Sequence, residues 1–268
     1  MTDLPGRVVL IGDPVSHSLS PVMQNAALRA ARIPLTYEAV RVPHGDLAKL
    51  LKELREIGGA GNVTIPHKRA VLEFSDDMTD AAARARACNT FRFVNGKLLA
   101  DNTDVPAFDN VARRLLGDDI ANAAVTVIGA GGAAAAVLTA IERWPSAKVS
   151  IVNRRNDHAT QLAEMFSDCA RAEPDMDRAL ATTTLVVNAT PVGQHDDLYP
   201  CDVTALAPNA AVFDLVYRRG ETPWVNEARR RGHRATDGMP MLLEQGALAF
   251  ETWFGVKPDR EAMRQALR

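Results

Sequence analysis

A lysine and an aspartate, each placed where the chain turns from strand to helix, are the residues best suited to chemistry. Gly58-Gly-Ala-Gly-Asn-Val-Thr-Ile-Pro-His-Lys68 gives glycine punctuation, a short strand and a proline that stops it just before a basic residue. Lys68 therefore stands at a strand-to-helix junction, and open α/β sheets bind ligands outside the carboxyl ends of their strands. A plain surface lysine is the commoner occupant of such a position, but a cation at a helix start faces the unfavourable end of the dipole, which points towards use. Asp101-Asn-Thr-Asp104 follows an apolar strand; Thr103 or Asp104 could cap a helix over 106–116, or Asp104 could turn its carboxylate to Lys68. Ser16, Ser18 and Ser20 alternate in the loop after the first strand, so two hydroxyls could point the same way and suit a carboxylate or a polyol. Turn and N-cap chemistry is the competing explanation, above all for Ser20 ahead of Pro21.

A second kind of chemistry is written in Val125-Thr-Val-Ile-Gly-Ala-Gly-Gly-Ala-Ala-Ala-Ala-Val-Leu-Thr139, a buried strand, a glycine turn and a helix start in succession. Gly129, Gly131 and Ala134 stand where G-x-G-x-x-G/A needs small residues, and a diphosphate would sit on the helix N-terminus. Residues 123–141 carry no charge, but their strand-like start and central glycines argue against a membrane span. The next strand, Lys148 to Val152, ends in Asn153-Arg154-Arg155, without the carboxylate that an NAD site uses on the ribose 2′-hydroxyl. An amide and two guanidiniums suit a 2′-phosphate instead, so the expected cofactor is NADP. A glycine turn used only structurally is the alternative.

The totals bound the setting. A chain of 268 residues has room for two domains with real cores. Lys plus Arg number 31 against 33 for Asp plus Glu, so the net charge of −2 gives no reason to expect nucleic acid or a membrane surface as partner; a small-molecule substrate is expected. Cys88, Cys169 and Cys201 are too scattered for a disulfide framework and form no C-x-x-C, which fits the cytoplasm. The first residues do not read as a signal peptide, and the six histidines have no ligand spacing, so no metal is expected. A homodimer is compatible with all of this.

Elements that would position these residues follow in βα order. Arg7 to Ile11 and Thr36 to Val42 read as strands, with a helix from Ser20 to about Ala31 and another from His44 to Ile57 that keeps Leu47, Leu50, Leu51 and Leu54 on one face. Met78 to Ala87 is helical in pattern, and residues 88–100 read as a hairpin about Asn95-Gly96. Beyond Ala123, strands at 125, 148, 184 and 211 alternate with helices, as in a doubly wound sheet. The strand at 184 ends in a polar loop to Gly193 that would flank the nicotinamide half of a dinucleotide, and the strand at 211 carries Tyr217 at its end. A last helix after Gly238 has a buried face at 242, 243, 247, 250 and 254, with Gln245 off most of it.

Taken together, Ser-His-Ser-Leu-Ser-Pro (16–21), Asn-Val-Thr-Ile-Pro-His-Lys (62–68), Asn-Thr (89–90), Asp-Asn-Thr-Asp (101–104), Gly-Ala-Gly-Gly-Ala-Ala (129–134), Asn-Arg (153–154), Asn-Ala-Thr-Pro-Val-Gly (188–193) and the Gln245 helix resemble the shikimate dehydrogenase family over nearly the whole chain. The resemblance implies an α/β protein with an N-terminal substrate domain (1–104), a doubly wound Rossmann-type NADP domain (105–238) and C-terminal helices (239–268) that return to the first domain. It implies NADPH-dependent reduction of 3-dehydroshikimate to shikimate with Lys68 and Asp104 as catalytic pair. Ser18, Ser20, Thr64, Asn89, Asp104 and Gln245 would bind the substrate carboxylate and hydroxyls, with Tyr217 nearby. Gly129, Ala130, Gly131, Gly132, Ala133, Asn153, Arg154, Arg155, Thr190, Val216 and Gly238 would line the cofactor. Six positions depart from the family pattern: Gln24 for histidine, Arg86 for glycine, Cys88 for valine, Ala135 for arginine, Arg155 for threonine and Gln194 for methionine. A quinate/shikimate paralogue and a catalytically silent NADP- or metabolite-sensing protein on the same fold are the competing functions.

Overall fold

The computed structural model describes residues 4–268, which divide into two compact units, one running to Asp104 and resuming with Leu243–Arg268, the other Val105–Leu242. In the first, the chain runs β1 (Val8–Gly12), α1 (Ser20–Ala30), β2 (Tyr37–Arg41), α2 (Leu47–Glu56), β3 (Ala60–Val63), α3 (Lys68–Glu73), β4 (Asp77–Met78), α4 (Asp80–Ala85), β5 (Thr90–Val94) and β6 (Lys97–Asp101). The six strands make one mixed sheet in the order β2-β1-β3-β5-β6-β4. β1 lies parallel to both β2 and β3, while β5 runs antiparallel to β3 and β6. β1 is buried along its whole length, as its unbroken Val-Val-Leu-Ile run requires. Leu47, Leu50, Leu51 and Leu54 of α2 are buried in the core beside Val9, Ile11, Phe91 and Phe93. The hairpin turns at Asn95 (φ 50°) and Gly96 (φ 73°), the paired positive φ values of a two-residue turn.

The second unit is α5 (Asp104–Leu116, Asp104 itself belonging to the first), β7 (Ala124–Ile128), α6 (Gly132–Ile141), β8 (Lys148–Val152), α7 (Asn156–Met165), β9 (Ala170–Ala172), α8 (Met176–Leu180), β10 (Leu185–Asn188), β11 (Ala211–Asp214), α9 (Pro223–Arg230) and β12 (Ala235–Thr236). Its strands are all parallel, in the order β12-β11-β10-β7-β8-β9, so the winding reverses between β7 and β10. That is the doubly wound sheet expected from the alternating pattern. Phe108 of α5 fixes the helix on the sheet, stacked between Trp144 and Phe213 at centroid distances of 6.1 and 5.2 Å. Among the described residues no helix is long and apolar enough to cross a membrane, and no group of His, Cys, Asp and Glu could hold a metal ion.

The chain then enters α10 (Met239–Phe254) and α11 (Arg260–Ala266). From Leu243 onwards this is part of the first unit. Trp253 stacks on Tyr37 (5.7 Å) and donates from Nε1 to Thr90 Oγ1 (3.0 Å), and the Gln24 amide donates to Gly246 O (2.8 Å). A buried amide at position 24 therefore ties α1 to the helix that carries Gln245.

Several boundaries differ from the sequence expectation, each for a local reason. The helix expected from His44 starts with a 3₁₀ turn, His44–Asp46, before α2 begins at Leu47. The helix expected from Met78 begins at Asp80, because Met78 pairs in β4 and Thr79 caps α4 by accepting from Ala82 N. Ser20 does not cap α1; Leu19 holds the cap position, and the Ser18 hydroxyl accepts from Ser20 N at 3.2 Å. The helix expected from Pro106 starts at Asp104, because Asn102 Oδ1 accepts from Asp104 N at 3.1 Å.

Arg86 ends α4 in the left-handed region at φ 49°, with an exposed side chain. A non-glycine residue there costs about 1–2 kcal/mol, partly offset by the extra chain entropy of glycine. Arg86→Gly is accordingly expected to stabilise the protein by up to about 1 kcal/mol in urea unfolding; an unchanged or lower midpoint contradicts the strain argument.

Candidate active site

Topology brings the chemistry-bearing residues of the first unit to one edge. β1 and β3 are parallel neighbours, so the loops after them, carrying Ser18 and Thr64, leave the sheet at the same end. β5 is antiparallel to β3 and β6 to β5, so Asn89 at the start of β5 and Asp104 just past β6 arrive at that end as well. Val63 N donates to Asn89 O (2.8 Å) and Asn89 N to Asp101 O (3.1 Å), which pins the three strand ends together.

At this edge Lys68 Nζ lies 2.6 Å from Asp104 Oδ2, the two side chains being 22% and 13% exposed. Asn89 Nδ2 donates to the other carboxylate oxygen, Asp104 Oδ1, at 2.8 Å and to Thr103 Oγ1 at 3.0 Å, and lies 3.5 Å from Gln245 Oε1. Its Oδ1 accepts from Thr103 N at 2.7 Å. The structure thus brings together Lys68, Asp104, Asn89 and Gln245, four residues singled out from sequence. Ser20 is buried on the first turn of α1, Ser18 and Thr64 are half-buried, and Thr64 O accepts from His67 N at 2.9 Å, which closes the turn ahead of Lys68. An ammonium steadied by a carboxylate and surrounded by amide and hydroxyl groups can bind an oxygen and exchange a proton with it.

Sequence reasoning missed three supporting residues. Asn102 Nδ2 donates to Ala87 O (2.8 Å) while its Oδ1 caps α5, which leaves the Asp104 carboxylate for Lys68. Asn62 accepts from Tyr37 Oη (2.8 Å) and donates to Asn89 O (3.1 Å) beneath the site. Thr103 is buried against Asn89. The signal for Asn102 was present, since asparagine two residues ahead of a helix N–H is a capping pattern.

In the second unit Gly129 follows β7 and has φ 115°; a Cβ there would stand 2.8 Å from Ala189 O, so only glycine fits. Gly131 precedes α6, which no side chain caps, and a Cβ on Gly131 or Gly132 would meet nothing within 4 Å. An uncapped helix start with open space over bare backbone matches a diphosphate, with Ala130 and Ala133 in the same turn. Asn153, Arg154 and Arg155 follow β8; both arginines are exposed, and Asn153 Nδ2 donates to Arg155 O (2.8 Å). Thr190 follows β10 beside the switch point, and Val216 and Tyr217 follow β11. Gly238 N donates to Val216 O (2.9 Å), and a Cβ on Gly238 would come within 2.2 Å of Leu215 O. A cavity of about 630 Å³ lined in part by Asn122, Thr184, Asn209, His233 and Arg234 lies at the opposite, amino ends of the strands and holds none of these residues.

The departures from the family pattern are accommodated. Cys88 is buried, donates to Thr90 O (3.0 Å) and has its thiol pushed up to about 12 by burial, which makes it inert. Ala135 is buried inside α6, and Gln194 N donates to Pro191 O (3.1 Å) in the loop after β10.

Comparison with known proteins converges. Residues 10–91 match the shikimate dehydrogenase substrate binding domain, residues 110–198 the shikimate / quinate 5-dehydrogenase model, and residues 238–268 the shikimate 5′-dehydrogenase C-terminal domain. The shikimate dehydrogenase (NADP(+)) of Desulfitobacterium hafniense is 34% identical over 263 residues, 96% of each chain. The shikimate 5-dehydrogenase of Thermus thermophilus, solved with NADP(H) and shikimate, superposes with a TM-score of 0.87 at 37% identity over 98% of each chain. A quinate dehydrogenase from Corynebacterium glutamicum with NAD gives a TM-score of 0.88 at 28% identity over 97% of each chain.

One carboxyl in the second unit makes a pH prediction. Burial, with the nearby Glu221 and Asp214, pushes Asp237 up to about 6 against the donation from Met239 N. The unfolded chain loses this proton near pH 4, so the folded state holds more protons between about pH 4 and 6 and stability falls as pH rises through that window. Asp237→Asn keeps the acceptor for Met239 N and removes the charge. It is expected to raise the melting temperature at pH 8 by about 2–4 °C for each kcal/mol recovered, with no gain at pH 4; an equal effect at both pH values contradicts it.

Proposed function

The chain belongs to the shikimate dehydrogenase family, and on that footing we propose that it catalyses the NADPH-dependent, reversible reduction of 3-dehydroshikimate to shikimate in aromatic amino acid biosynthesis. The observation that carries the reading is the 2.6 Å Lys68–Asp104 pair, joined to Asn89 within the unit that matches the substrate-binding model.

NADPH supplies the hydride when bound, and the protein must orient the ketone and manage one proton. Lys68 Nζ stabilises the oxygen that gains negative charge and gives it a proton; in the reverse direction it takes that proton back. Asp104 Oδ2 holds Nζ in place, and its other oxygen is held by the Asn89 amide. Ser18, Ser20, Thr64, Asn89 and Gln245, with Tyr217, bind the carboxylate and hydroxyls of the substrate. The turn from Gly129 to Ala133 would hold the diphosphate, Arg154 and Arg155, assisted by Asn153, would recognise the 2′-phosphate, and Thr190, Val216 and Gly238 would support the nicotinamide end. The first unit is the substrate domain and the second the NADP domain. A cytoplasmic setting belongs to the same proposal, and the three scattered, unbridged cysteines support it.

The test is absorbance at the reduced-nicotinamide band with shikimate or quinate, each with NADP or NAD. Turnover with shikimate and NADP alone is the expected result; preference for quinate assigns the chain to the broader paralogue class, and silence in all four with NADP still bound makes it a sensor. Lys68→Ala should lower kcat by about 10²–10⁴ while leaving shikimate binding nearly intact, and near-normal turnover removes Lys68 from the mechanism. Arg154→Ala should raise KM for NADP about tenfold without changing KM for NAD, the expected effect of one lost phosphate contact; parallel loss with both cofactors excludes it as the 2′-phosphate ligand.

A further inference from the structure

At the carboxyl ends of β10 and β11, Asn188 and Asp214 face each other as register partners, and both are fully buried. Asn188 uses every hydrogen-bonding position of its amide. Nδ2 donates to Asp214 Oδ1 (2.8 Å) and Val192 O (3.1 Å), and Oδ1 accepts from Thr190 N (3.0 Å) and Thr190 Oγ1 (2.6 Å). Asp214 Oδ1 also accepts from Val216 N at 3.0 Å. One amide and one carboxyl oxygen thus set the two loops that leave the winding-reversal side of the sheet. Val216 is held twice, by its N–H on Asp214 and by its carbonyl accepting from Gly238 N at 2.9 Å. This is more anchoring than strand ends alone require, since the sheet ladder already stops at this pair of residues.

We propose that Asn188 and Asp214 are a positioning pair that presets the Thr190 and Val216 backbone for the nicotinamide end of the cofactor. The inference rests on the reading of the second unit as the NADP domain. The chemistry of the pair fixes which residues can serve. Position 188 needs two donors and two acceptors on one planar group, which among side chains of this size only an amide provides. Position 214 needs an acceptor alone: the Asn188 amide and the Val216 N–H donate to Oδ1, and the Thr222 hydroxyl stands beside the carboxyl. Burial raises the Asp214 carboxyl above its ordinary range, against the Thr222 hydroxyl, Val216 N–H and Asn188 amide that favour its ionised form. An amide at 214 can therefore take over the accepting role, whereas a carboxylate at 188 would aim oxygens at the Val192 carbonyl and at Asp214.

The test compares Asn188→Asp, Asp214→Asn and Asp214→Ala with the parent by steady-state kinetics in NADP and in shikimate, by direct titration of NADPH fluorescence, and by circular dichroism. Asp214→Asn should stay within about twofold of the parent. Asn188→Asp and Asp214→Ala should each raise KM for NADP and the dissociation constant for NADPH by about tenfold or more and lower kcat, while KM for shikimate changes little. If Asp214→Ala does not fold, the two near-isosteric variants carry the same contrast between them. A folded Asn188→Asp with unchanged NADPH affinity, or with equal losses for NADP and shikimate, overturns the proposal. Failure of the parent to oxidise shikimate overturns the functional reading instead, and the NADPH titration still decides the role of the pair.

Discussion

A half-buried ion pair sets the terms for the first unit. Charges taken out of water are costly unless their remaining hydrogen-bonding positions are filled, and removing one partner of such a pair is worse than never having built it. Lys68 and Asp104 meet at 2.6 Å with most of both side chains covered. The surroundings satisfy that demand: Asn89 fills the second carboxylate oxygen, and Asn102 takes over the helix cap that would otherwise claim Asp104. Thr103 locks the Asn89 amide through both its hydroxyl and its backbone N–H, so the carboxylate has one available orientation. The antiparallel β5-β6 hairpin delivers Asn89 and Asp104 together, and the parallel β1-β3 pair delivers the loops that carry the serines and the lysine.

The second unit depends on a different constraint, the close approach of backbone to backbone where the sheet reverses its winding. β7 and β10 are neighbours on either side of the point where the winding reverses, and Gly129 must pass Ala189 O at a distance that no side chain allows. The same economy recurs at Gly238 against Leu215. Bare backbone after β7 leaves N–H groups rather than side chains at the start of α6, a setting that suits a diphosphate, and small residues cluster in 129–136 while charged ones stand at the end of β8.

Local signals were legible segment by segment, whereas long-range ones stood only as alternatives or came with the family resemblance. The Asn95-Gly96 turn, the leucine face of α2 and the glycine turn after β7 are each decided within a dozen residues, and each lies where the pattern put it. The short strands β4, β9 and β12 left no mark, since two or three residues carry no periodicity. Lys68 and Asp104 could be named because each stands at a strand-to-helix junction, yet their meeting depends on pairing between β3, β5 and β6 that no single segment encodes. Thr103 was read as a possible cap, and Asn62 and Asn102 were given no role, because a short polar side chain looks the same whether it serves its own turn or a strand far away in the chain. Gln24 is the clearest case: its partner, Gly246 O, is 222 residues distant.

The buried polar residues of this protein divide by what they hold. Asp104 holds a cation at a site open enough for both side chains to keep some exposure. Asp214 and Asn188 hold only each other and neighbouring chain, and they are sealed completely. Burial raises Asp214 and Asp237 alike, yet each still accepts from a backbone N–H two residues on, Val216 and Met239 respectively. A carboxyl used in this way fixes the path of the main chain at a loop, where neither sheet nor helix does so. Such fixed loops are what hydride transfer needs of a protein, because the reacting atoms belong to cofactor and substrate and the chain can contribute only their placement and the movement of a proton.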